Sequence, residues 1–201
     1  MKLRLKNFLI ALPLLTATLS AAPLGFFAVL TGPSETPPNA SPGTGYATVV
    51  IDASAHTMSV DVSFFGLVAG TTAAHIHVIN GPGDGNTSDT AGPIATTTPT
   101  FAGFPSGVTS GSYSNLLDTT LAGSYNPSFV TNSGSIAAAE SALFSAIIQG
   151  RAYFNIHSNT FPGGEIRGFF QPVPEPSTVA MVGVVLAGLG FRRARRSTVM
   201  N

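Results

Sequence analysis

The strongest constraint on the fold is the alternation in "HTMSVDVSFFGL", residues 56–67. Met58, Val60, Val62 and Phe64 take every second place, and Thr57, Ser59, Asp61 and Ser63 fill the gaps. A helix turns about 100° per residue and would scatter these apolar side chains, whereas a strand puts them all on one face. The segment is therefore a strand with one face on a core and one toward water, as antiparallel sheets have. "GYATVVID" repeats the pattern with Ala47, Val49 and Ile51 on one side. "DASAHT" between the two carries turn formers, so they pair as a hairpin with His56 solvated in the turn.

Two later strands, "RAYFNIHS" and "GEIRGFFQ", flank "NTFPGG", where a proline and two glycines call for a turn. Residues 80–132 are rich in Gly, Ser, Thr, Pro and Asn and read as long loops, with short strands around Ile94 and Phe101. "SIAAAESALFSAIIQG" changes period: Ile136, Ala139, Leu143 and Ile147 fall on one helical face, Ser135 can cap the start and Gly150 the end. The expected fold is all-β, an antiparallel β-sandwich or barrel of immunoglobulin-like or superoxide-dismutase-like type, with one short helix near 136–149.

Both ends of the 201-residue chain read as addresses rather than as fold. Residues 1–22 carry Lys2, Arg4 and Lys6, an apolar run from Phe8 to Leu19, and the small residues Ser20, Ala21 and Ala22. That is the layout of a secretory signal peptide, cut near Ala21 or Ala22. Near the other end Pro174, Glu175 and Pro176 precede an uncharged run over 179–191, then Arg192, Arg193, Arg195 and Arg196. A helix over 179–191 would be about 20 Å long against a hydrocarbon core of about 30 Å, which suits transient insertion in the inner membrane better than a lasting anchor. The arginines mark its cytoplasmic end, leaving the body outside.

The zero net charge of the whole chain conceals an acidic body. Between residues 24 and 171 stand eight acids (Glu35, Asp52, Asp61, Asp84, Asp89, Asp118, Glu140, Glu165) and two bases (Arg151, Arg167), six net negative charges. Nucleic-acid partners are excluded, because phosphates demand the opposite balance. The absence of cysteine excludes disulfides, thiolate metal sites and cysteine nucleophiles. No nucleophile elbow, His-Glu-x-x-His run or phosphate loop is present, and no pair of acids has a spacing that argues for a glycosidase.

What chemistry remains sits in "AAHIHVIN", residues 73–80. Ala74, Ile76 and Val78 share the apolar face, so His75 and His77 lie on the other. The same sorting in "RAYFNIHS" puts Ala152, Phe154 and Ile156 inside and Tyr153, Asn155 and His157 outside. Glu165, Arg167 and Phe169 share a face beyond the turn. If these strands are neighbours, His75, His77, His157, Tyr153, Asn155, Glu165 and Arg167 form one polar patch. The three histidines would then offer a three-nitrogen site with an open position, suited to one copper, zinc or iron ion. The other reading is hydrogen bonding or simple solvation on an outer face. Glu165 and Arg167 pair with each other, or Arg167 holds the turn or Asn155 in place.

Two resemblances attach to these residues. "VPEPSTVAMVGVVLAGLGFRRARR" resembles the PEP-CTERM sorting signal, which implies export in a Gram-negative bacterium, removal of the tail by a membrane-embedded exosortase, and a place on the cell surface or outside the cell. "SETPPNASPGTGYATVVID", "GLVAGTTAAHIHVINGPGDGN" and "RAYFNIHSNTFPGGEIRGFF" resemble, in order, the segments of a CHRD domain over 26–171. That implies an all-β extracellular module without assigned catalytic residues, in some settings meeting other proteins. The His-x-His strand is similar to that of copper/zinc superoxide dismutase, whose further ligands and disulfide are not found here. The expected division is signal peptide 1–22, β domain 24–171 and sorting tail 172–196. The leading function is a non-enzymatic surface or matrix module that meets protein or exopolysaccharide, and the alternative is a His-ligated metal protein or copper or iron oxidoreductase.

Overall fold

The computed structural model describes residues 22–84 and 91–174. The expected signal peptide up to residue 21, Glu175, Pro176, the apolar run and the four tail arginines lie outside the described residues; Pro174 closes them, exposed.

One antiparallel sheet makes the body. Its strands are β1 (Leu24–Thr31), β2 (Thr44–Asp52), β3 (Thr57–Phe65), β4 (Thr71–Val78), β5 (Gly111–Asp118), β6 (Ala152–Ser158), β7 (Ile166–Phe169) and β8 (Gln171–Pro172). They follow one another in space as β4-β6-β7-β1-β2-β3-β5, with β8 on β1, and the sheet curls into a half-barrel. The all-β expectation therefore stands. The two hairpins read from sequence are both present: Asp52 faces Thr57 across the first, and Ile156 faces Ile166 beside the second.

The alternation decides which face becomes core. Phe26, Ala28 and Leu30 of β1, Ala47, Val49 and Ile51 of β2, and Met58, Val60, Val62 and Phe64 of β3 all point inward and are buried. On the other half Ala74, Ile76 and Val78 meet Ala152, Phe154 and Ile156 across the β4–β6 pair. Phe101 stacks on Phe154 with ring centres 5.8 Å apart. Burial of each Val, Leu, Ile, Met or Phe among them contributes about 1.5–3 kcal/mol.

Among the described residues two α-helices, not one, pack apolar side chains into the core. Besides α2 (Ile136–Ile148), a shorter α1 (Pro127–Ser133) precedes it. The signals for α1 are local: Asn126 Oδ1 accepts from the Ser128 amide, Pro127 starts the first turn, and Gly134 ends the helix in the left-handed region. In α2, Ser135 Oγ accepts from the Ala138 amide, and Ala139, Leu143, Ala146 and Ile147 are fully buried.

The segment expected as mostly loop also needs correction. Residues 111–118 form the full edge strand β5 along the whole of β3, hidden from sequence because its outward positions are Ser112, Ser114 and Leu116 and its inward ones are mixed. Ile94 makes only an isolated bridge with His77, and Phe101 lies in no strand but plugs the core. Residues 93–101 instead run along the free edge of β4, where the Val78 amide donates to Pro93 O and the Ala95 and Phe101 amides donate to Ile76 O and Ala74 O. This irregular run covers an edge that would otherwise invite pairing with another chain.

Candidate metal centre and the buried polar layer

Strand order settles the condition that sequence left open: β4 and β6 are neighbours, and β7 lies on the far side of β6. Across the three strands His77, Tyr153 and Phe169 form one row, and His75, Asn155 and Arg167 the next. His157 faces Ala73, and the Glu165 amide donates to Ile156 O beside it. All seven residues of the polar patch thus occupy one face of one half of the sheet.

That face is not solvated, and here the sequence reading is corrected. His75, His77, Tyr153, Asn155, His157, Glu165 and Arg167 are all buried, with Glu165 fully so. Alternation shows only that they oppose the core; it cannot show that loops 32–39, 92–100 and 159–164 fold over them. Those loops lack periodicity, and their carbonyl oxygens point down into the site.

Each imidazole meets one such carbonyl. His75 Nε2–H donates to Pro99 O at 2.7 Å, His77 Nδ1–H to Gly92 O at 2.9 Å, and His157 Nδ1–H to Pro162 O at 2.9 Å. A neutral imidazole has one N–H, so these bonds fix all three tautomers. The remaining nitrogens, His75 Nδ1, His77 Nε2 and His157 Nε2, are acceptors. His75 Nδ1 lies 3.3 Å from His157 Nε2, and His77 Nε2 is buried without a hydrogen-bond partner among the described residues. The three residues can bring one ligand atom each within 4.8 Å of one another.

Burial holds all three rings neutral. It lowers the pKa of His75 and of His77 to about 4 in each case, against the opposing hydrogen bonds to Pro99 and Gly92, and it lowers that of His157 as well. Three neutral imidazoles, each oriented by a backbone acceptor on its outer nitrogen, are the ligand set and outer support that metal sites use. Two nitrogens on one tetrahedral ion with bonds of about 2.0–2.1 Å are about 3.3–3.4 Å apart. The His75–His157 separation already has that value.

Gly92 makes one of these bonds possible. A Cβ at this position would collide with the backbone carbonyl of Val78, so only glycine lets the loop pass close enough for its own carbonyl to reach His77. The His77 ring also stacks on Tyr153, with centres 4.8 Å apart and planes within 10°, and the Arg167 guanidinium lies 4.8 Å from the centre of the same Tyr153 ring.

Sequence reasoning missed Glu35. It lies in the loop after β1, and its Oε2 is 3.8 Å from Arg167 Nε and 3.4 Å from Asn155 Nδ2, which donates to it. Arg167 also donates to Ser34 O and Thr36 Oγ1. Arg167 therefore pairs with Glu35 rather than Glu165, and the turn it holds is 32–36. Glu165 serves elsewhere: its Oε1 accepts from Ser41 Oγ and the Val68 amide, each at 2.6 Å, tying two loops to the sheet. Desolvation pushes the Glu35 carboxyl up to about 7, with the Arg167 charge opposing it. A usable signal existed, because with only two bases in the body a buried arginine has to find one of few acids.

His56 stays outside the cluster. It sits in the β2–β3 turn as expected, with a positive φ of 54°, and half of its side chain is exposed. It is not simply solvated, since Nδ1 lies 2.9 Å from Glu140 Oε2, and Glu140 also accepts from Thr119 Oγ1. Among the described residues, a second imidazole cluster of the dismutase kind is absent.

A half-barrel whose outer face carries three converging histidines under loops, followed by a sorting sequence, defines an exported β-domain with a candidate metal centre. The CHRD domain family model matches residues 26–170, and the chain belongs to that family. The PEP-CTERM protein-sorting motif matches residues 172–196 and supports export, exosortase processing and a cell-surface or extracellular place in a Gram-negative bacterium. Neither description names an enzymatic activity. No curated protein and no solved structure matches the chain.

Proposed function

We propose that this exported domain binds one transition-metal ion on His75, His77 and His157. The observation that supports it is the convergence of three imidazole lone pairs whose outer N–H groups are all committed to backbone carbonyls. An all-imidazole set without a carboxylate favours copper, zinc or iron over magnesium or calcium. Tyr153, stacked on His77, and Glu35, Asn155 and Arg167 around it form a buried polar layer beside the rings. Elemental analysis of the mature secreted protein tests the reading: about one equivalent of metal, lost in His77→Ala, is the expected result. No metal after loading with copper, zinc and iron overturns it.

A second reading, as a surface or matrix module that meets protein or exopolysaccharide, is supported by a different part of the molecule. The outer face of β1, β2, β3 and β5 carries Phe27 and Tyr46, stacked with ring centres 5.9 Å apart, and the exposed side chains of Val50, Phe65 and Leu116. Exosortase is the processing partner that the sorting motif supports.

A further inference from the structure

We propose that the outer face of β2, β3 and β5 is a groove for an uncharged polysaccharide chain, a proposal that rests on the interaction reading and is independent of the histidines. The register builds the groove. Tyr46 faces Ser63, which faces Ser112, and Thr48 faces Asp61, which faces Ser114. All six point outward, because their neighbours Ala47, Val49, Val60 and Val62 point into the core. Small side chains on β3 and β5 sink a cleft of about 370 Å³ across the strands, with Tyr46 as its aromatic side.

The chemistry of the lining selects the occupant. Along the outward rows the cleft holds the hydroxyls of Thr48, Ser63, Ser112 and Ser114, the Asp61 carboxylate and the Tyr46 ring, with Phe65 in the row before it and Val50 and Leu116 in the row after it. A pyranose chain presents what such a lining needs, hydroxyl donors and acceptors around the ring edge and C–H faces that pack on an aromatic ring. Asp61 is the only charged side chain in the cleft and makes no hydrogen bond among the described residues. Its carboxylate, in a body with six net negative charges, repels an acidic polymer and accepts from neutral hydroxyls.

Affinity electrophoresis of the mature protein through gels containing hydroxyethyl cellulose, dextran or galactomannan, with alginate as the acidic comparison, tests the groove. Retardation by at least one neutral polymer is expected, weakened about tenfold or more in Tyr46→Ala and in Asp61→Ala and unchanged in Gly123→Ala, which lies outside the cleft and has open space around its Cβ. Both groove substitutions replace outward side chains, and circular dichroism of each variant checks that the sheet is intact. Retardation that persists in both folded variants overturns the groove. Retardation by alginate alone overturns the uncharged ligand while leaving the polysaccharide reading standing, and no retardation by any polymer removes both.

Discussion

His75 Nδ1 and His157 Nε2 face each other at 3.3 Å, and neither carries a proton, because the other nitrogen of each ring donates to a carbonyl, Pro99 O and Pro162 O respectively. Two facing lone pairs repel unless a cation lies between them. The backbone that imposes this arrangement comes from two loops far apart in sequence, so the cost of the facing pair is built into the fold, and an ion bound as proposed would relieve it.

Metal removal should therefore lower stability. An ion present at about 100 times its dissociation constant stabilises by about 2.7 kcal/mol. For a domain of this size that corresponds to a rise in Tm of about 5–10 °C. Thermal melts with copper, zinc or iron, with and without a chelator, should show this increment in the native protein and none in His157→Ala.

Gly92→Ala should separate metal affinity from the ligands themselves. The added methyl displaces the loop from Val78 and withdraws the Gly92 carbonyl from His77 Nδ1. Loss of such a supporting bond weakens metal binding about 10- to 100-fold. Gly123→Ala has open space around its Cβ and should leave both metal affinity and stability within about 0.5 kcal/mol of the native protein. Competition with a chromophoric chelator reads the difference.

Arg167→Lys should destabilise by about 3 kcal/mol, since a buried charge pair is costly to disturb and an ammonium cannot reproduce the forked contacts to Ser34 O, Thr36 Oγ1 and the Tyr153 ring. Urea unfolding measures it. A loss under 1 kcal/mol would mean that the 32–36 turn does not depend on this residue.

Glu35 gives the protein a pH dependence of definite sign. Its folded pKa of about 7 lies above the ordinary 4.5, so the folded state holds this proton more tightly than the unfolded chain does. The contribution to stability is complete below about pH 4.5, declines as pH rises, and is gone above about pH 7. A shift of this size corresponds to about 3 kcal/mol in all. The difference in unfolding free energy between the native protein and Glu35→Gln, followed from pH 4.5 to 8, should trace this decline; a flat difference contradicts it.

Legibility in the sequence followed periodicity. β2 and β3 announce themselves in "GYATVVID" and "TMSVDVSF" because each strand has one wet face and one dry one. β5 is hidden because its side chains do not sort so cleanly. The caps of α1, Asn126-Pro127 at one end and Gly134 at the other, stand in the sequence, but seven residues are too few to establish a helical period. In the polar layer, alternation put seven side chains on the side away from the core. Glu35 escaped it because Glu35 and Arg167 are 132 positions apart and meet only through the β1–β7 pairing of Thr31 with Arg167.

The sequence by itself determined the C-terminal sorting motif, the all-β class, the strand face to which His75, His77 and His157 belong, and the absence of thiols. These follow from composition and from periods of two or 3.6, which are local properties of the chain. Tertiary structure alone decided that β4 lies beside β6, that three loops bury the face sequence reasoning had left to water, and that their carbonyls set the tautomers of His75, His77 and His157. Strand order and loop placement depend on contacts between residues distant in the chain, and no local period records them.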